Sequence, residues 1–196
     1  MDVQEIIDQT LRCKKIVSEL LEFSRQSVGK VSSFNLEELI NKSLNLLINQ
    51  ALFQDIEVGR DIRPDLPAMV GDMGQLQQVF TNLFINAADA MEGKGELEIK
   101  ATFDTSTEVF MIQVSDTGPG IREEFRDKIF DIFFTTKQVG KGTGLGLSIS
   151  QNIIKLHGGN ITLNCPAEGG TTFIIELPLG FVEQPVEEPI FLGLDI

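Results

Sequence analysis

Gln75-Leu76-Gln77-Gln78-Val79-Phe80-Thr81-Asn82-Leu83-Phe84-Ile85-Asn86-Ala87-Ala88-Asp89-Ala90-Met91 reads as a helix with one apolar face, made of Leu76, Val79, Phe80, Leu83, Phe84, Ala87 and Ala88. A face that wide must lie against a second layer. At 100° per residue, Gln75, Gln78, Asn82, Asn86 and Asp89 form a polar stripe roughly 80° wide on the opposite side. A solvated face is the ordinary reading of such a stripe. Here it holds two asparagines four apart, in a helix otherwise suited to burial where asparagine is a poor helix former. Their amide oxygens suit a hard cation such as magnesium, which keeps several waters and takes few protein ligands. Gly93 and Gly95 end the helix.

Outward from this helix the pattern alternates between periods of two and 3.6. On the N-terminal side, Asn35 can cap a helix with Glu37 and Glu38 in its first turn, running to about Phe53. A strand over Ile56 to Ile62, turn residues Pro64, Asp65 and Pro67, and a short strand over Ala68 to Val70 follow. On the C-terminal side, Glu96 to Phe103 and Val109 to Val114 read as an antiparallel pair. A short helix near Glu123 to Phe130 leads into a polar loop over about Asp131 to Gly144. A helix over Leu145 to Leu156 and strands over Asn160 to Asn164 and Thr171 to Leu177 close the pattern. The expected class is α+β, a two-layer sandwich.

The flanks differ from this middle. From Val3 to Phe23, the series Val3, Thr10, Val17 and Ile6, Cys13, Leu20 recur every seven residues, and Ile7, Ile16 and Leu21 widen the stripe to one suited to a helix bundle. Ser27 to Ser33 breaks the periodicity, and beyond Pro178 the chain is acidic and proline-bearing. The expected division is 1–30, a bundle helix; 34–179, the main domain; and 180–196, a tail. A formal net charge of −13 disfavours a phosphate-backbone binder, so nucleic acid is not an expected partner. Cys13 and Cys165 have no metal-like spacing, which fits a reducing cytoplasm. No segment supplies the roughly eighteen uninterrupted apolar residues of a membrane span.

Two more segments carry chemistry. Asp116-Thr117-Gly118-Pro119-Gly120-Ile121 follows a strand; it could be only a turn, but a buried carboxylate there could also accept hydrogen bonds from an adenine amino group. Gly140-Lys141-Gly142-Thr143-Gly144-Leu145-Gly146-Leu147 precedes an apolar helix, so its free N–H groups and the helix dipole make an anion site. It matches neither the Walker loop nor the dinucleotide fingerprint, and a flexible surface loop is its bland reading. Lys137 and Lys141 bring positive charge to this loop of an acidic protein, where a triphosphate needs it.

The order of Asn82 with Asn86, the Asp116 segment, Phe133-Phe134-Thr135-Thr136-Lys137 and the Gly142 to Leu147 run resembles the nucleotide-binding domain of histidine kinases, within the GHKL superfamily. The resemblance covers about Phe34 to Leu179. It implies a Bergerat-type sandwich holding ATP and Mg2+ between helices and a flexible lid. Asn86 would be the main magnesium ligand, with Asn82 helping to place metal and phosphates and Asp89, on the same stripe, counted among the nucleotide-binding residues. Asp116 would bind the adenine amino group, with Gly118, Gly120 and Ile121 shaping that pocket and Thr171 behind it. Phe133 and Lys137 would belong to the lid. Lys141, Gly142, Thr143, Gly144, Leu145, Gly146 and Leu147 would form its phosphate-binding end. Asp131-Ile132 departs from the Glu-Pro that many relatives carry before the paired phenylalanines.

Residues 12–17 and 20–25 resemble the second helix of the kinase dimerisation hairpin. The first, with its phosphoacceptor histidine, is absent from the sequence, so the acceptor is expected on a missing segment or another chain. A response regulator receiver domain would take the phosphoryl group onward. The sole histidine, His157, sits at a helix end, where it favours the helix dipole and is not expected to be catalytic. Two other classes compete: a GHKL ATPase that hydrolyses ATP, and a switch module such as an anti-sigma-type serine kinase. The first needs a water-activating glutamate where this chain has Asn82, and an amide cannot take a proton. The bundle helix argues against the second.

Overall fold

The structure, a computed structural model, describes residues 29–137 and 142–180 together with Ile7, Thr10, Cys13 and Val17. Those four residues are helical and exposed. The remainder of the expected bundle helix, Lys141 and residues 181–196 lie outside the described residues.

Five strands form the main sheet in the order β2-β4-β5-β7-β6: β2 Asp55–Ile62, β4 Lys94–Asp104, β5 Val109–Asp116, β7 Thr171–Pro178 and β6 Asn160–Asn164. β2 runs parallel to β4, and the other pairs are antiparallel. The parallel pair needs a crossover, which is supplied by β3, Met69–Asp72, and the long helix α2, Met73–Ala90. Helix α1, Leu36–Asn45, packs on α2, and α4, Gly146–Leu156, packs on its other side. A single turn, α3, spans Glu123–Arg126. Leu76, Val79, Phe80, Leu83, Phe84, Ala87 and Ala88 of α2 are all buried, as the helical spacing required. They meet Leu97, Ile99 and Ala101 of β4, Phe110, Ile112 and Val114 of β5, and Phe173, Ile175 and Leu177 of β7 in one core. Fully burying each such side chain contributes about 1.5–3 kcal/mol, so this helix–sheet layer is the main source of stability.

Three expectations need correction. The helix expected to reach Phe53 ends at Asn45, and residues 51–53 form a separate 3-10 turn. Ser43 Oγ donates to Leu39 O at 2.9 Å, and Leu47 N donates to Leu44 O at 2.8 Å, so the backbone tightens and leaves the helical path. The interruption read at Ser27 to Ser33 contains strand β1, Val31–Phe34, antiparallel to β3. The short helix expected to Phe130 likewise stops at Arg126.

Candidate functional site

Strand parity places the first residue of the site. Along β5, buried and half-buried positions alternate, with Phe110, Ile112, Val114 and then Asp116 facing the helices. Asp116 therefore ends the strand with its carboxylate in the seam between sheet and helices, opposite Leu97 and Thr171. Only 9% of it is exposed. Burial pushes its carboxyl above the usual range, and the N–H groups of Gly118 and Thr171 act in the opposite direction. Gly118 N–H donates to Asp116 Oδ1 at 2.9 Å, and a Cβ at 118 would stand 3.3 Å from Ala90 Cβ, so this loop sits directly on the last turn of α2. Gly170 N–H donates to Gly118 O at 2.7 Å, joining the start of β7 to the same loop, and Gly120 lies beside Gly170.

One turn back along α2 stands a second group. Lys137 Nζ lies 3.1 Å from Asn86 Oδ1 and 2.5 Å from Asp89 Oδ2. A further turn back, Asn82 Nδ2 donates to the buried hydroxyl of Ser150 on α4 at 3.0 Å. A Cβ on Gly146 would overlap that asparagine, with Asn82 Cγ at 2.9 Å. The first turn of α4 thus approaches α2 closely at Asn82. The polar stripe is not a solvated face: Asn82, Asn86 and Asp89 are all half-buried.

The loop between these groups is described on both sides of residues 138–141. Phe133, 58% exposed, has φ 69, and its N–H donates to Gly144 O at 3.0 Å. A non-glycine residue in that region is a strained feature. A Cβ on Gly142 would meet Thr135 Oγ1 and the Lys137 side chain. Thr143 Oγ1 accepts from Leu145 N–H at 3.4 Å. Leu145 is fully buried in the core, so only its backbone can face a ligand, and Leu147 and Ile121 are partly buried against that core.

Three residues of this region were not foreseen. Arg126 Nε donates to Ile121 O at 3.1 Å and its Nη2 to Cys165 O at 3.4 Å, strapping the Asp116 loop to the β6–β7 turn. Ser150 orients Asn82, and the one signal for it was a serine four residues after Gly146 in an apolar helix. Thr117 Oγ1 accepts from Glu96 N–H at 3.0 Å and fixes the loop to β4. His157 also differs from expectation. It is 3% exposed and neutral in role, its Nε2 accepting from Asp72 N–H at 3.0 Å and its Nδ1 facing Ile153 O at 2.8 Å.

Residues 71–180 match the family described as histidine kinase-, DNA gyrase B- and HSP90-like ATPase. The sensor kinase CckA of Brucella abortus is 36% identical over 200 residues, covering 95% of this chain and 21% of that protein. The chain spans 21% to 37% of the length of the curated relatives it matches at this level. The catalytic domain of histidine kinase ThkA, nucleotide-free, superposes with a TM-score of 0.69 at 34% identity, covering 77% of this chain and 97% of that one. ThkA in complex with the response regulator protein TrrA gives a TM-score of 0.75 at 32% identity, over 91% of this chain and 50% of that one. The sandwich, the polar groups gathered along α2 and these matches together show that the chain belongs to the histidine kinase-, DNA gyrase B- and HSP90-like ATPase family, as the ATP-binding catalytic domain of a sensor histidine kinase.

Proposed function

We propose that the cleft along α2 binds ATP with magnesium and presents the γ-phosphoryl group to a histidine carried by another segment or chain. The observation that carries this is the order of chemistry along one helix. Gly118, bonded to Asp116, lies against Ala90, an amide–carboxylate–ammonium cluster sits at Asn86 and Asp89, and the first turn of α4 meets Asn82. Ala90 to Asn82 spans about 12 Å at 1.5 Å per residue, a length suited to a nucleoside triphosphate. Ionised Asp116 is an acceptor for the adenine amino group, with Thr171 paired beside it. The donor chemistry fits a hard cation at Asn86, whose neutral amide oxygen already holds the Lys137 ammonium beside the Asp89 carboxylate. Magnesium, when bound, supplies charge neutralisation to the phosphates.

The remaining work is positioning. Lys137 is the side-chain cation of the phosphate end. The backbone N–H groups of residues 142–147, ahead of and within the first turn of α4, are the phosphate donors we propose. A neutral imidazole nitrogen forms its bond to the γ phosphorus as the bridging P–O bond breaks, and the electron pair leaves with ADP. Asn82 donates its amide hydrogen to Ser150 and carries no proton-accepting base, which favours transfer to histidine over activation of water. A receiver domain is the onward acceptor we propose, in keeping with the ThkA–TrrA assembly. Among the described residues no helix is long and apolar enough to cross a membrane, and Cys13 and Cys165 are free, which supports a cytoplasmic setting.

Calorimetric titration with a non-hydrolysable ATP analogue tests the reading. Asn86→Ala is expected to remove most of the magnesium-dependent gain in affinity, about tenfold or more, and Asp116→Asn to weaken binding with and without metal by about 10- to 100-fold. Unchanged magnesium dependence in Asn86→Ala removes the metal assignment.

A further inference from the structure

Lys137, on the loop after Phe133-Phe134, reaches α2 at Asn86 and Asp89. Its contact with Asp89 is better shielded than the surface pair Lys42–Glu38: the paired side chains are 33% and 35% exposed, against 51% and 53%. The loop arm that carries it is fixed locally as well. Lys137 N–H donates to Thr135 Oγ1 at 3.2 Å, and Phe133 is tied to Gly144 at the root of the loop. Asn86 Oδ1, the atom accepting from Lys137, is the one the proposed function gives to the metal. An ammonium and a divalent cation repel each other and cannot share that oxygen, so Lys137 must leave it when the nucleotide arrives with metal.

We propose that Asp89 is a positioning residue for Lys137: it parks the ammonium on Asn86 while the site lacks nucleotide, and yields it to the phosphates once a metal-bound nucleotide takes Asn86. This rests on the reading of Asn86 as the metal ligand. Asp89 then acts through Lys137, competes with ligand binding and does not itself bind the ligand. The carboxylate opposes entry of the nucleotide only as long as a lysine stands at 137.

The test uses the whole chain and two readouts. In nucleotide-free protein, acetylation of lysine amines by an N-hydroxysuccinimide ester, followed by mass spectrometry, is expected to label Lys137 slowly relative to exposed Lys128. Asp89→Asn should raise that ratio about threefold or more, the scale of one partly shielded ion pair. With magnesium and a non-hydrolysable ATP analogue, Asp89→Asn should tighten binding by about 3- to 10-fold in the wild-type background and leave it unchanged in the Lys137→Met background. Unchanged labelling, weaker or unchanged binding in Asp89→Asn, or a change that persists in Lys137→Met overturns the proposal. If instead only the Asn86 assignment fails, Asn86→Ala keeps its magnesium dependence while Asp89→Asn still exposes Lys137 to the reagent.

Discussion

His157 shows how one buried side chain can tie three elements together. Its Nε2 accepts from the N–H of Asp72, whose carboxylate in turn caps α2 by accepting from Gly74 and Gln75 N–H at 2.9 and 3.1 Å. Its Nδ1 faces Ile153 O within α4, so the ring serves both contacts only as the neutral Nδ1–H tautomer. Burial lowers its pKa; the Ile153 carbonyl and the nearby Asp72 charge act in the opposite direction with less weight. A lowered folded-state value means the unfolded chain takes up the proton first. The stability carried by His157 is therefore complete above about pH 6.5, the unfolded value, and is lost as pH falls from there through the folded value. His157→Leu leaves Asp72 N–H without its acceptor and should cost about 1–3 kcal/mol at pH 7.5 in urea unfolding. The gap to wild type should narrow at pH 5.5, and a gap independent of pH would refute the neutral-acceptor role. Sequence placed this histidine at a helix end but gave it a charge, because its acceptor role depends on a backbone N–H 85 residues away. Asp116 was legible for the opposite reason: period-two parity from Phe110 carries it to the inner face without any distant partner.

Among elements, the α2–α4 contact decides where the phosphate end can sit. Glycine in a helix costs about 1 kcal/mol relative to alanine, yet Gly146 opens α4 because any Cβ there overlaps the Asn82 amide. Gly146→Ala therefore gains about 1 kcal/mol of propensity but loses about 1–3 kcal/mol to overpacking, and the net effect on thermal stability should be destabilising. Adding Asn82→Ala removes the obstructing amide, so the double variant should regain stability over Gly146→Ala alone, and additive losses would sink the assignment. The glycine run suggests a phosphate-binding end; the structure shows a steric role for Gly146, which only the paired helix reveals. Long periodic elements such as α2 and β7 were readable to within two residues because burial on one face fixes their pattern. Strand β1 was not, since three of its four residues are exposed and its partner β3 begins 35 residues after β1 ends, at Met69.

At the scale of the whole molecule, 29 acidic against 16 Lys and Arg residues leave a net charge of −13, and the ligand is itself an anion even with magnesium bound. The cation described in the site, Lys137, is already paired with Asp89 when nucleotide is absent, so it adds little long-range attraction. The far field that an approaching nucleotide meets is thus repulsive. The Debye length shrinks from about 30 Å at 0.01 M salt to about 8 Å at 0.15 M, which screens that repulsion while leaving contacts of a few ångströms largely intact. The association rate constant for a fluorescent ATP analogue with magnesium should therefore rise with salt, by about 2- to 5-fold across that range in stopped-flow mixing. Lys137→Gln should steepen the rise, because it removes the positive charge nearest the phosphate end while leaving Asp89. A rate that falls with salt would mean that local positive charge at the loop outweighs the acidic whole, and that nucleotide is drawn in by attraction and does not enter against a barrier.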